Sequence, residues 1–150
     1  MDSIDRKILA ELQKDGRLSL TELGDRIGLS LSPCHRRVRA MEDAGVISGY
    51  RVTINPTAVG LNFSALVFVT LRTTDRDSVQ SFEKAVLLVP EVIQAQRLFG
   101  DHDFLLHVMT SDIGAFQKLF DDSLSTLPSV LRLTSTLVMK SIVQDRPLPL

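Results

Sequence analysis

The segment LSLSPCHRRVRAME, residues 29–42, places His35, Arg36, Arg37 and Arg39 inside a run with the apolar spacing of a helix. An arginine guanidinium can fork its donors onto a guanine edge or clamp a phosphate. Small hydroxyls such as Ser30 and Ser32 can reach nearby phosphate oxygens. That is the chemistry needed to read double-stranded DNA, although three arginines on a helix are also an ordinary solvated face. A second polar constellation, Gly100-Asp101-His102-Asp103, falls between two strand-like runs. Asp and Gly suit a turn there, because they accept turn geometries and cap backbone amides. Catalysis is disfavoured by spacing. His35, His102 and His107 form no metal-binding motif, Cys34 has no base in view, and Asp101 and Asp103 lack a defined partner. No enzyme, cofactor or metal site is therefore expected.

With 150 residues, 44% hydrophobic and 23% charged, the chain should fold as one domain or two small ones. A formal net charge of −1 and a pI near 6.3 exclude a surface coated in positive charge but allow a local basic patch. The lone cysteine, Cys34, excludes an intrachain disulfide framework and suits a reducing compartment. The opening MDSIDRKILAELQKDG lacks the continuous apolar core of a signal peptide. The most apolar run, residues 61–71, is short and broken by Asn62, Ser64 and Thr70. A cytoplasmic protein without a membrane partner is expected.

These candidate residues must be held by elements, and the two halves of the chain have different periods. Ile4, Ile8, Leu9 and Leu12 recur at helix spacing up to Lys14-Asp15-Gly16. Ser19 with Glu22 has a capping-box pattern and opens a second helix on Leu20, Leu23 and Ile27, closed by Gly28. Ser32-Pro33 reads as the N-cap and first position of a third helix. That helix should carry Val38, Met41 and Ala44 inward, stop at Gly45, and leave Arg37 and Arg39 accessible beside His35 and Arg36. A tight turn followed by a basic helix is what major-groove insertion requires. Residues 46–54 predict a bent strand pair or an extended strand, and residues 55–60, with Pro56 and Gly60, a hinge.

Beyond the hinge the order strand-helix-strand occurs twice. Strands are expected over residues 61–71, 92–99, 104–110 and 130–143. The helix faces are Val79, Phe82, Val86 and Val89, then Ile113, Phe116, Phe120 and Leu124. This predicts a four-stranded antiparallel sheet with two helices on one face. Phe104, Leu106 and Val108 point to one side of their strand, and Leu105 and Met109 to the other. Two helices can cover only one face, so a second copy of the chain is expected on the other.

Four segments, in this order, resemble the Lrp/AsnC (feast/famine) transcription regulators over nearly the whole chain. They are IDRKILAELQKDGRLS, LGDRIGLSLSPCHRRVRAMEDAGVISGYRVTINP, FGDHDFLLHV and LPSVLRLTSTLVM. The resemblance implies an α+β protein. Its parts would be an N-terminal winged helix-turn-helix DNA-binding domain (residues 1–54), a hinge (55–60) and a C-terminal ferredoxin-like βαββαβ domain for effector binding and oligomerisation (61–150). Family members form dimers that assemble into tetramers, octamers or open spirals. The stretch from Ser32 to Arg39 matches the family's recognition helix, so the DNA-contact candidates are Ser30, Ser32, Pro33, His35, Arg36, Arg37 and Arg39. Arg37 and Arg39 match recurrent basic positions, whereas Arg36 stands where an acidic or variable residue is usual. Asp5 also recurs, and capping or a salt bridge explains it better than catalysis; Cys34 reads as a small buried residue.

The family's Gly-Asp-x-Asp segment helps form a small-molecule pocket where dimers meet. Here Gly100, Asp101 and Asp103 carry it, with Thr134, Ser135 and Thr136 resembling further pocket-lining positions. A carboxylate there would accept from an effector's ammonium group, and an amino acid or similar small molecule is the expected effector. Lys140 departs from the family pattern, where several relatives have an acid. The function expected is a sequence-specific DNA-binding transcription regulator that responds to such an effector. The alternative is a DNA-organising assembly protein with little sequence preference.

Overall fold

Residues 1–150 are described by a computed structural model. The chain divides into two compact units, one of Met1–Thr53 with Ile142–Leu150 and the other of Ile54–Ser141. No helix is long and apolar enough to cross a membrane.

The first unit is built on α1 (Ser3–Lys14), α2 (Leu20–Ile27) and α3 (Leu31–Asp43). Each boundary has a local cause. Asp2 and Asp5 form a reciprocal capping box at the start of α1, and Ser19 and Glu22 form another at α2. Gly28 ends α2 in the left-handed conformation, at φ 74°. Ile8, Leu23, Cys34, Val38 and Met41 are buried together, ringed by Ile4, Leu12, Leu20 and Ile27. Burial pushes the Cys34 thiol up from its ordinary value, which makes it a packing residue with little thiolate character.

Three local expectations are corrected here. α3 begins two residues earlier than Ser32-Pro33 suggests: Ser30 is its N-cap and Pro33 lies inside the first turn. Proline is tolerated there because the amides of a first helical turn have no intrahelical acceptor. Ala44 is exposed, and Ile47 packs against the core instead. Gly45, at φ 70°, reverses the chain so that the amides of Val46 and Ile47 both return to the Met41 carbonyl. The expected strand in residues 46–54 is absent, since no backbone ladder ties this stretch to a partner within the chain.

In the second unit the order is β1 (Phe63–Leu71), α4 (Arg76–Val86), β2 (Val92–Arg97), β3 (Phe104–Thr110), α5 (Ile113–Asp122) and β4 (Val130–Leu137). The four strands form an antiparallel sheet in the order β2-β3-β1-β4. This is the ferredoxin-like βαββαβ topology. Val67, Val69, Leu71, Phe104, Leu106 and Val108 bury one sheet face against Val79, Phe82 and Val86 of α4 and Leu119 of α5. The rings of Phe82 and Phe104 lie 4.5 Å apart at its centre. The opposite face carries Leu66, Phe68, Leu105, His107 and Met109, each only half-buried.

Two helical expectations shift as well. Ile113 is 68% exposed because it opens α5 six residues before Leu119, on a different side of the helix from that buried residue. Leu124 is buried, but from a short 3-10 turn after the helix. β4 stops at Leu137, short of the expected Val143. The final segment, Ile142–Leu150, belongs to the first compact unit. There the Gln13 side chain accepts from the Leu148 amide (2.6 Å) and donates to its carbonyl (3.3 Å).

Candidate DNA-contact face and effector turn

Along α3, Ser32, His35, Arg36, Arg39 and Ala40 are all exposed. Their spacings of about three and four residues put them on one face, opposite buried Cys34, Val38 and Met41. Arg36 and Arg39 make no salt bridge, so their guanidinium donors are uncommitted. Ser30 caps α3 by position only, with no side-chain capping bond, and its hydroxyl is likewise free. Pro33 is half-buried and has no donor to offer.

Gly24 sets how closely this helix can approach the one before it. A Cβ at that position would sit 2.6 Å from the Leu29 carbonyl oxygen and 3.9 Å from the Cys34 Cβ. The Leu29 amide in turn donates to the Gly24 carbonyl at 2.9 Å. The turn that launches the basic helix therefore packs directly on the glycine backbone.

Arg37 departs from the accessible position expected of it. Its side chain is 30% exposed, and Nη1 donates to Asp2 Oδ2 at 2.8 Å and to Asp5 Oδ1 at 2.7 Å. The Asp5 amide, then Arg37, hold the Asp2 carboxyl below its usual range, while Asp5 and Asp2 push the Arg37 guanidinium higher. The salt-bridge explanation for Asp5 is realised together with capping. Asp2, its partner in both roles, was not singled out by the sequence, although the Asp-x-x-Asp spacing carries the signal.

At the other candidate site, the residues 100–103 link β2 to β3. Asp103 is built into the sheet: its amide donates to the Val69 carbonyl (2.9 Å), its carbonyl accepts from Leu98 (2.8 Å), and its Oδ2 accepts from the Leu71 amide (2.7 Å). Gly100 and Asp101 are exposed. β4 alternates, so Thr134 and Thr136 stand opposite Phe68 and Leu66 on the open sheet face, while Ser135 pairs with Val67 and points to the helix side. The structure thus separates Ser135 from its two neighbours.

It also adds residues. The His102 ring lies 5.0 Å from that of Phe68, and His102 Nδ1 is 3.4 Å from Thr70 Oγ1. The alternation of β1 points to Phe68 and Thr70 as sharing one face, but only the tertiary fold delivers His102 to them. Further along that face, Ser64 Oγ and His107 Nε2 are 2.7 Å apart, and burial lowers the His107 pKa.

Comparison with known proteins places both units in described families. Residues 1–48 match the family described as winged helix-turn-helix DNA-binding, and residues 64–148 match the Lrp/AsnC ligand binding domain. The chain is 38% identical over 145 residues to the proline dehydrogenase transcriptional activator of Rhodobacter capsulatus, covering 97% of this chain and 94% of that protein. It is also 38% identical over 148 residues to the leucine-responsive regulatory protein of Escherichia coli strain K12, covering 99% and 90%. Among solved structures, a transcriptional regulator from Neisseria meningitidis in complex with L-Met superposes with a TM-score of 0.94 at 36% identity, covering 99% of this chain and 96% of that one. An AsnC family regulator from Agrobacterium tumefaciens gives a TM-score of 0.93 at 32% identity, covering 99% and 97%. A helix-turn-helix with a cationic outer face, joined to a ligand-binding ferredoxin-like unit, thus has matches over nearly its full length. The chain belongs to the Lrp/AsnC family of transcription regulators, DNA-binding proteins with a small-molecule-binding domain and not enzymes.

Proposed function

We propose that this protein is a sequence-specific transcription regulator that places α3 in the DNA major groove and responds to a small amino acid bound near the 100–103 turn. The observation that carries the DNA half is the uncommitted face of α3. Arg36, Arg39 and His35 can address base edges or phosphates there, and Ser30 and Ser32 lie at the helix start for phosphate contact. Residues 55–60 serve as the hinge between the DNA-binding domain and the ligand-binding domain.

The effector half is supported by relatives: one was solved with L-Met, one is leucine-responsive, and one activates transcription for proline dehydrogenase. Asp101 is the exposed carboxylate for an effector ammonium group, whereas Asp103 holds the Leu71 amide through Oδ2. Thr134, Thr136, Phe68 and His102 offer the adjoining surface. Self-association uses the open sheet face, where Leu66, Phe68, Leu105 and Met109 form an apolar field that a second copy covers. Dimers built this way set the spacing of two recognition helices on related half-sites.

Mapping of genomic binding sites, with and without a panel of amino acids, tests the reading. Discrete sites with paired half-sites, and one amino acid that changes their occupancy, are expected. Equal affinity for operator and scrambled DNA would refute sequence reading and favour a DNA-organising role.

A further inference from the structure

We infer that Arg37 is a positioning residue, which clamps the recognition helix to the first turn of α1 and leaves contact with DNA to Arg36, Arg39 and His35. This rests on the DNA-binding assignment of α3 and assigns a different task to one of its arginines.

The clamp accounts for all four oxygens of two carboxylates. Asp2 Oδ1 accepts from the amides of Ile4 and Asp5, both at 2.9 Å, and Asp5 Oδ2 accepts from the Asp2 amide at 2.8 Å. That closes the capping box with one oxygen from each residue. The remaining two, Asp2 Oδ2 and Asp5 Oδ1, both receive the same nitrogen, Arg37 Nη1. A capping box needs only one acceptor from each side chain, and its first position is commonly a neutral Ser or Thr. Acids at both positions supply two further anionic acceptors, and Arg37 occupies them. The positive end of the α1 dipole favours the same carboxylates, so cap, dipole and guanidinium reinforce one another.

Position on the helix points the same way. Arg37 follows the exposed His35-Arg36 pair and precedes buried Val38, so it sits at the flank of α3. To reach a base it would have to break two charge-assisted bonds. Its charge is also more than balanced by two carboxylates, so it adds little to the field that attracts phosphate. What it controls is the seating of α3 on α1.

The test uses the full chain with Arg37→Met, Asp5→Asn, the corresponding double variant, and Arg39→Met. Affinity for an operator is measured across a range of salt, with helix content and thermal unfolding checked in parallel. Arg37→Met and Asp5→Asn should each weaken binding about five-fold, and the double variant should be no weaker than the single ones. Neither should change the slope of log affinity against log salt, whereas Arg39→Met should reduce it by about one if it contacts a phosphate. The Asp5 arm discriminates by sign, because removing an acid near DNA by electrostatics alone would raise affinity. Arg37→Lys provides a gentler variant should Arg37→Met unfold. One ammonium can meet both carboxylates, so the lysine should recover most of the affinity with the parent's base preference.

Arg37 would instead contact DNA directly if Arg37→Met reduced the salt slope, or relaxed preference at one base pair, while Asp5→Asn bound like the parent. Parental binding by both variants would also overturn the clamp. Failure of the DNA-reading assignment looks different. The parent itself would then bind scrambled DNA equally well, and the salt slopes on that DNA would still decide the role of Arg37.

Discussion

Replacing Gly24 with alanine puts a methyl carbon 2.6 Å from the Leu29 carbonyl oxygen, a backbone atom that cannot rotate away. Ordinary contact needs roughly another 0.8 Å, so the turn between α2 and α3 must open or the helix must shift. Overpacking of this kind costs about 1–3 kcal/mol. Alanine returns about 1 kcal/mol through its better helix propensity, which leaves a net loss of about 1–2 kcal/mol. Tyr50 is the chain's single tyrosine, there is no tryptophan, and it lies in the helical unit with its hydroxyl bonded to Glu42. Its fluorescence therefore reports this unit during thermal unfolding. A midpoint lowered by roughly 5–10 °C is expected for a unit of this size. Operator affinity should fall too, since the same contact sets the approach of the basic helix. Gly28→Ala is the companion variant: it meets nothing within 4 Å but stands at φ 74°, so its cost is backbone strain of about 1–2 kcal/mol. A Gly24→Ala protein as stable as the parent, with undiminished DNA affinity, would refute the close-approach argument.

Asp103→Ala should lower the stability of the sheet unit by about 1.5–3 kcal/mol in urea unfolding, because the Leu71 amide loses a charged acceptor. Asp101→Ala should leave stability unchanged and weaken amino-acid binding in calorimetry; the reverse pairing would return the effector role to Asp103. Phe68→Glu places a charge in the apolar field of the open face, and sedimentation should show a shift toward monomer; an unchanged assembly would mean that another surface joins the subunits. Burial holds the His107 imidazole below its ordinary value of 6.5. The unfolded chain therefore takes up that proton first, and stability should fall as pH drops through 6.5 toward the depressed folded value. His107→Gln retains a partner for Ser64 without titrating and should flatten this part of the pH-stability curve; an identical slope would remove His107 as its source.

Local periodicity made much of this protein legible from sequence. The apolar spacing of Ile4, Ile8 and Leu12, and of Val79, Phe82 and Val86, records which side of each helix is buried. Along Phe104 to Thr110 the strand period of two separates Phe104, Leu106 and Val108 from Leu105 and Met109, and burial alternates accordingly. Ser19, Glu22 and Gly28 mark the ends of α2 because caps are interactions over three or four residues. The four family-like segments extended this reading from elements to fold and function.

Partners brought together across the chain were decided only by tertiary structure. Arg37 meets Asp2 and Asp5 from more than thirty residues away, and Asp103 meets Leu71 across a separation of 32 residues. Spacing shows that a side chain is available at a position, but not which distant group will consume its donors or acceptors. Three arginines within four positions, Arg36, Arg37 and Arg39, therefore looked alike, while packing against α1 committed one and left two free. The same reason separates Asp103, tied to β1, from exposed Asp101. Residues 46–54 have the composition of a strand, yet a strand exists only where another backbone supplies the ladder, and that pairing is a property of the fold.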